Sequence, residues 1–231
     1  MRVFEEDMEW SWEYYRGVAA RCRAAKPNEG HKALAEIQHH FEHKGKTLDL
    51  VTTNIDDLHR RAGSKNVFEL HGNLTKARCT NPECKGDLIR EMPVEEELAT
   101  SRIPRCKHCD VMNGTDLTPP LRPHILWFDE GYTEELHSIL SVYQAVEAAD
   151  LIVTIGGTCT TGGPRRMLAK AHELDIPVID LNPKPNNDIC EVKMHQLLST
   201  ADDALPKILT SLQRSTTTPT KVKSNITSKA K

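Results

Sequence analysis

Residues 151 to 181 restrict the possible fold more than any other stretch of this 231-residue chain. Leu151 to Ile155 is a continuous apolar run, Gly156-Gly157 turns the chain, Pro164 opens a helical stretch through Leu174, and Ile176 to Leu181 is a second apolar run. Strand, glycine turn, helix and strand form a βαβ unit, whose parallel strands require helices across the faces of the sheet. The turn, Gly156-Gly157-Thr158-Cys159-Thr160-Thr161-Gly162-Gly163, lies where backbone N–H groups and a helix dipole favour a phosphate, and so a nucleotide. Asp180, about 20 residues on, stands where a dinucleotide fold places an acid on a ribose. Glycines at such turns are also common in chains that bind nothing, and the two readings carry similar weight.

Helical periodicity extends this class to the rest of the chain. Residues 9 to 24 read as a helix, and Lys32 to His43 repeats Leu34, Ile37 and Phe41 at the spacing of one buried face. Short β-prone runs, Thr47 to Thr53 and Val67 to Leu70, end at Asn54-Ile55-Asp56-Asp57 and at His71-Gly72. Parallel pairing would bring both ends to one sheet edge, where open α/β sheets bind ligands. One histidine among eleven is by default a surface or packing residue, and only its surroundings single out His71. Pro123 to Phe128 reads as another strand, and Glu134 to Ala149 as an amphipathic helix burying Leu136, Ile139, Leu140, Tyr143 and Val146. A last helix is predicted over Asp202 to Gln213. The Thr/Ser/Lys-rich stretch after it lacks apolar residues to pack, and 214–231 is expected to be a disordered tail.

Four of the seven cysteines fall into two tight pairs, Cys79-x4-Cys84 and Cys106-x2-Cys109. Each pair can turn back on a tetrahedral ion, and four thiolates leave no position for water, so the pattern predicts one structural zinc. His108 could replace a cysteine, although Cys109 has the better spacing. The segment between has little periodicity and is expected to form an insertion without a core of its own. A nucleic-acid zinc ribbon is disfavoured because the segment is not notably basic.

A net charge of −3 gives no global attraction to nucleic acid or anionic membrane. No apolar run approaches the roughly 18 to 20 residues of a membrane span. The acidic start, Met1 to Glu9, differs from a basic signal or transit peptide, so an intracellular protein is expected, in cytoplasm or nucleus rather than mitochondrion.

Taken in order, Val51-Thr52-Thr53-Asn54-Ile55-Asp56-Asp57-Leu58-His59, Glu69-Leu70-His71-Gly72, the cysteine pairs, Leu121 to Glu130, Gly157-Thr158-Cys159 and Asn182-Pro183 resemble the sirtuin (Sir2) family of NAD-dependent protein deacylases. The resemblance covers roughly residues 9 to 212. Pro27-Asn28-x-Gly30-His31 and the aromatic helix before it look most like the bacterial and mitochondrial desuccinylase-type branch. It implies a Rossmann-like α/β fold, a parallel sheet with helices on both faces, divided at 1–78, 79–121 and 122–213, with the zinc-binding insertion in the middle. It also implies that His71 is a general base. Asn54 and Asp56 would line a nicotinamide pocket, Gly157, Thr158 and Cys159 would hold NAD, and Asn182 and Ala201 would lie near its adenosine. Leu126, Trp127, Asp129, Glu130 and Tyr15 would meet an acyl-lysine protein substrate. The implied reaction removes acyl groups, acetyl first among them, and gives free lysine, nicotinamide and 2'-O-acyl-ADP-ribose. A monomer is implied, with no nucleic-acid partner. A catalytically impaired zinc-bearing binding module and an ADP-ribosyltransferase are the alternatives.

The departures from the family pattern are specific. Family members begin with a strand and a glycine-rich loop, and the present sequence starts after both, so an N-terminally shortened sheet is expected. Thr53 replaces a glutamine, Cys159 a serine, Asp129 a glycine, and Lys184 an acid. Where the desuccinylase-type branch pairs a tyrosine with an arginine three residues later, this chain has Tyr15 and Val18, which argues against succinyl-lysine.

Overall fold

The computed structural model of the chain describes residues 2–92, 103–111, 117–186 and 194–215. Of the expected tail over 214–231, Arg214 and Ser215 belong to the last helix, and 216–231 lies outside the described residues.

The βαβ unit is present: β6 (Ile152–Ile155), α7 (Gly162–Glu173) and β7 (Val178–Asn182), with β6 and β7 parallel over Ile152↔Val178 to Ile155↔Leu181. A further parallel strand, β8 (Met194–Leu198), extends the ladder beside β7. Its side chains are mostly exposed, so burial left no apolar signature in the sequence. Nearer the N-terminus, β1 (Leu50–Thr52) and β2 (Val67–Glu69) pair in parallel as a separate ladder. Among the described residues β1 pairs only with β2 and β6 only with β7, so each keeps an open edge, and Val51 and Val153 are exposed.

Helices hold the two ladders together. α3 (Glu29–Glu42) begins where the Asn28 side chain accepts the His31 N–H at 3.0 Å, and its Ala33, Leu34 and Ile37 face inward. They form one core with Leu50 and Val67 of the first ladder, Leu181 of the second, and Ala204 and Leu205 of α8 (Ala201–Ser215). The amphipathic faces predicted for these two helices are therefore packed against each other.

The predicted helix over Glu134 to Ala149 is two helices, α5 (Glu134–His137) and α6 (Ile139–Glu147), divided at Ser138 in a left-handed conformation (φ 52°). Glu134 causes the break: its carboxylate accepts the Leu140 N–H (2.6 Å) and Ser141 N–H (3.2 Å), capping α6 from the previous turn. The register changes there, so Ile139, Val142 and Val146 are buried while Leu140 is exposed.

A third sheet, unforeseen in the sequence, is antiparallel: β3 (Gly72–Cys79) at its centre, with β4 (Arg90–Glu91) and β5 (Leu121–Ile125) on either side. The strand predicted over Pro123 to Phe128 thus lies two residues earlier. It stops at Ile125 because the Glu130 carboxylate accepts the Trp127 N–H (3.0 Å) and bends the chain. α1 (Arg2–Glu6) and α2 (Met8–Ala24) cover this sheet, with Phe4 and Trp12 fully buried and Trp12 Nε1 donating to the Leu121 carbonyl at 2.9 Å. The cysteine-bearing segment shares that core: Cys106 belongs to the same cluster as Phe4, Trp12, Ala77 and Leu121. A one-turn helix, α4 (Leu58–Arg61), follows the Asn54–Asp57 loop. Among the described residues no helix is long and apolar enough to cross a membrane.

Candidate functional site

β3 has a different site at each end. At its far end, Cys79, Cys84, Cys106 and Cys109 place their Sγ atoms within 4.8 Å of one another. Cys79–Cys109 is 3.8 Å and Cys84–Cys106 is 3.6 Å. Bonds of about 2.3 Å to a tetrahedral zinc put sulfurs about 3.8 Å apart, so the thiols fit that ion. N–H donors surround the sulfurs: Asn81 N–H to Cys79 (3.4 Å), His108 N–H to Cys106 (3.5 Å), and Arg90 to Cys106 (3.3 Å) and Cys84 (3.5 Å). Donors of this kind favour thiolate. His108 contributes its backbone, and Cys109 its sulfur. The described cysteines, Cys22 and Cys159 included, are all free thiols.

At the near end, the parallel β1–β2 pair carries Asn54, Asp56 and His71 to one edge. Gly72 follows with φ +80°, and any Cβ there would collide with the His124 carbonyl, so the strand can leave His71 only through glycine. A ring N–H of His71 bonds to the Thr53 carbonyl, and its Nε2 lies 3.0 Å from the Tyr132 hydroxyl. With the Thr53 bond on Nδ1–H, Nε2 keeps its lone pair and Tyr132 donates to it. Burial holds the His71 pKa below its usual value, against the opposing pull of the Thr53 bond, and so favours the neutral ring. Around it opens a cleft of about 420 Å³ lined by Tyr15, Cys22, Thr53, Asn54, Ile55, Asp56, His71, Ile125 and Leu126. Asp56 Oδ1 accepts the Leu58 N–H (3.0 Å), which sets the entry to α4.

The predicted substrate residues divide. Tyr15 and Leu126 line the cleft, and Trp127 backs Tyr15 edge-on with ring centroids 5.1 Å apart. Glu130 turns inward: it accepts from Arg122 Nη2 (2.9 Å) and Arg78 (3.2 Å) besides the Trp127 N–H. Asp129 is exposed, outside the cleft lining.

Gly157, Thr158, Cys159 and Asn182 form a second group, at the C-terminal ends of β6 and β7. Asn182 Nδ2 donates to the Gly157 carbonyl (3.2 Å), and Cys159 takes a left-handed conformation (φ 53°). Asn186, unforeseen in the sequence, also donates to the Gly157 carbonyl, at 3.1 Å. Ala201 opens α8 and packs toward α3. Asp180 is buried within β7, where its Oδ1 accepts from Thr154 (2.5 Å) and Asn182 (2.8 Å), while its Oδ2 is buried without a partner among the described residues.

Tyr132 joins the two groups. Its hydroxyl accepts the Gly163 N–H, in the first turn of α7, while donating to His71, and nothing in its sequence neighbourhood marks that role. Behind it lie two buried histidines, His124 and His137, whose rings stack 6.3 Å apart.

An α/β chain with a histidine and a glycine turn at the strand ends, and a four-cysteine knuckle beside them, is a nucleotide-binding protein with a structural metal site. Comparison with known proteins gives the family: the Sir2 family model matches residues 2–161, and the chain belongs to that family. It is 30% identical over 212 residues to an NAD-dependent protein deacylase of Pyrococcus furiosus, covering 92% of this chain and 78% of that one. It is 32% identical over 197 residues to the mitochondrial NAD-dependent protein deacylase sirtuin-5 of Danio rerio, covering 78% of this chain and 61% of the relative. Among solved structures, a Sir2 homologue–NAD complex superposes with a TM-score of 0.74 at 25% identity, over 93% of this chain and 75% of that one. An ADP-ribose complex of a Sir2 homologue variant gives 0.76, also at 25%.

Proposed function

We propose that this chain removes acyl groups, acetyl first among them, from protein lysines with NAD as co-substrate, and that His71 is its general base. The observation that carries the reading is the state of His71. Burial favours its neutral form, its Nε2 lies 3.0 Å from the Tyr132 hydroxyl, and it lines a cleft with Asn54 and Asp56 on its walls. An imidazole held neutral near working pH is suited to take a proton from a sugar hydroxyl.

NAD, when bound, supplies the sugar carbon that accepts the acyl oxygen as nicotinamide leaves. The chain supplies the surroundings. Asn54 and Asp56 border the nicotinamide position, and Gly157, Thr158, Cys159 and Asn182 offer the backbone and amide groups of the β6–α7 turn to the rest of the dinucleotide, with Ala201 near its adenosine. Tyr15 and Leu126, backed by Trp127, give an apolar wall against which a neutral acyl-lysine sheds water. Asp129 and Glu130 act on the substrate only through the loop that Glu130 anchors. Zinc holds the knuckle and takes no part in the reaction. The Val18 position offers no cation to an acidic acyl group, which supports a neutral one.

Nicotinamide release from NAD with an acetyl-lysine peptide tests the reading. His71→Ala should cut turnover by about 10²–10⁴-fold while calorimetry shows NAD still bound. Equal nicotinamide release by wild type and His71→Ala, or none by wild type, would reject it.

A further inference from the structure

The last turn of α3 carries a second set of metal-ligating side chains, apart from the cysteines. His39 and His43 stand four residues apart, so their side chains share one face of the helix. Their Nε2 atoms are 2.9 Å apart, with ring centroids 4.2 Å apart at 75°, and both residues are exposed. Glu42 Oε2 lies 3.8 Å from His39 Nδ1 and is itself held by Lys65 at 3.2 Å.

We propose that His39 and His43 form a two-nitrogen site for a divalent transition-metal ion of tetragonal preference, nickel(II) or copper(II). Two imidazoles at i and i+4 are the arrangement by which a helix face chelates a metal. The separation selects the geometry. Nitrogens bonded at about 2.0–2.1 Å lie about 2.9 Å apart in adjacent corners of a square or octahedron, and about 3.3–3.4 Å apart at tetrahedral corners. The pair is therefore set for a square-planar or octahedral ion, with water in the remaining positions.

Without an ion, one ring donates its Nε2–H to the other's Nε2. For both lone pairs to face an ion, that proton moves to Nδ1 of its own ring. On His39 the nearby Glu42 carboxylate favours the Nδ1–H form, the role carboxylates play behind metal-bound histidines. His43 is the C-cap of α3, and its N–H bonds to the His39 carbonyl at 3.1 Å. An ion held by both rings thus pins the final turn of the helix that joins the two parallel ladders.

Calorimetry of the full, zinc-loaded chain with nickel(II) chloride tests the site. One nickel per chain is expected beyond the zinc, with a Tm rise that His39→Ala and His43→Ala abolish. Each substitution should weaken nickel binding by about tenfold or more. His195→Ala, exposed on β8, should leave it unchanged, and circular dichroism should report the same helix content in all variants. The proposal fails if the double variant binds nickel as wild type does, or if nickel enters only by displacing zinc, seen as released zinc with thiolate-to-metal absorption. Tighter binding of zinc than nickel at the pair would overturn the tetragonal assignment.

Discussion

The cysteine cluster and the His71 cleft terminate the same strand, about 25 Å apart along β3, and they are built in opposite ways. The four thiols come from two short spacings and converge on one point, with N–H groups of Asn81, His108 and Arg90 arranged around them. The cleft draws side chains from α2, from the ends of β1 and β2, and from the turn after β5, and its central imidazole is fixed by a backbone carbonyl. The first is a closed ligand set whose worth is structural. The second is held by the fold around it, so it depends on the first without containing it.

Breaking the cluster should therefore have the largest effect. Cys106 is buried with Phe4, Trp12 and Leu121, so losing its sulfur removes a ligand and opens the shared core. Cys106→Ser, or chelation of the zinc, should cost several kcal/mol of the roughly 5–15 kcal/mol that hold a domain folded. The signals to follow are tryptophan fluorescence and Tm. Activity should fall with the fold, and unfolding curves of Cys106→Ser that match wild type would separate the two sites entirely.

Acid should act from the cleft's side. Burial, aided by the charge of Arg78, pushes both His124 and His137 down to about 4, from an ordinary 6.5. The Thr133 N–H donates to His137 Nδ1 at 3.1 Å, which requires the neutral ring. Below pH 6.5 the unfolded chain takes up protons that the folded chain refuses, so stability declines as pH falls from about 6.5 toward about 4. Urea midpoints measured across that window should flatten in a His124→Gln, His137→Gln double variant. An unchanged slope would move the acid sensitivity to the half-buried histidines, His59 and His71.

How legible each region was in the sequence follows from the same contrast. The cysteine pairs could be read directly, because zinc ligation depends on residue type and short spacing. So could the βαβ unit and the α3 and α8 faces, where burial writes periodicity into the chain. β8 could not, since its exposed residues carry no alternation, nor could the helix break at Ser138, which a single capping carboxylate, Glu134, imposes. Of the site residues, His71 stood out through its neighbours, but Tyr132 and Asn186 did not. Their roles come from long-range hydrogen bonds that leave no local pattern. The position of Asp180 in the strand matched a ribose acid, but the sequence could not show that one of its oxygens is taken by Thr154 and Asn182.

Smaller changes sharpen the contrast between the sites. Arg90 is the cluster's outer support, donating to two sulfurs, and outer-shell partners typically account for 10–100-fold in metal affinity. Arg90→Ala should weaken zinc binding by about tenfold, measured by competition with a chromogenic chelator, while leaving nicotinamide release by the zinc-saturated protein unchanged.

Tyr132 is the cleft's counterpart to Arg90, with the opposite sign. Every donor at the cysteine cluster assists the ion, whereas the Tyr132 hydroxyl occupies both the lone pair that His71 offers a substrate hydroxyl and the Gly163 N–H at the start of α7. A dinucleotide using either group must displace it. A typical internal hydrogen bond contributes about 1 kcal/mol net, so Tyr132→Phe should lower Tm slightly and tighten NAD binding about fivefold. The phenylalanine keeps the ring packed beside Leu70 and Met167, which separates the hydroxyl from the fold. Calorimetry with NAD decides: tighter binding marks Tyr132 as a competitor for its own site, and weaker binding would make the hydroxyl a support, bringing the cleft and the cluster under one design.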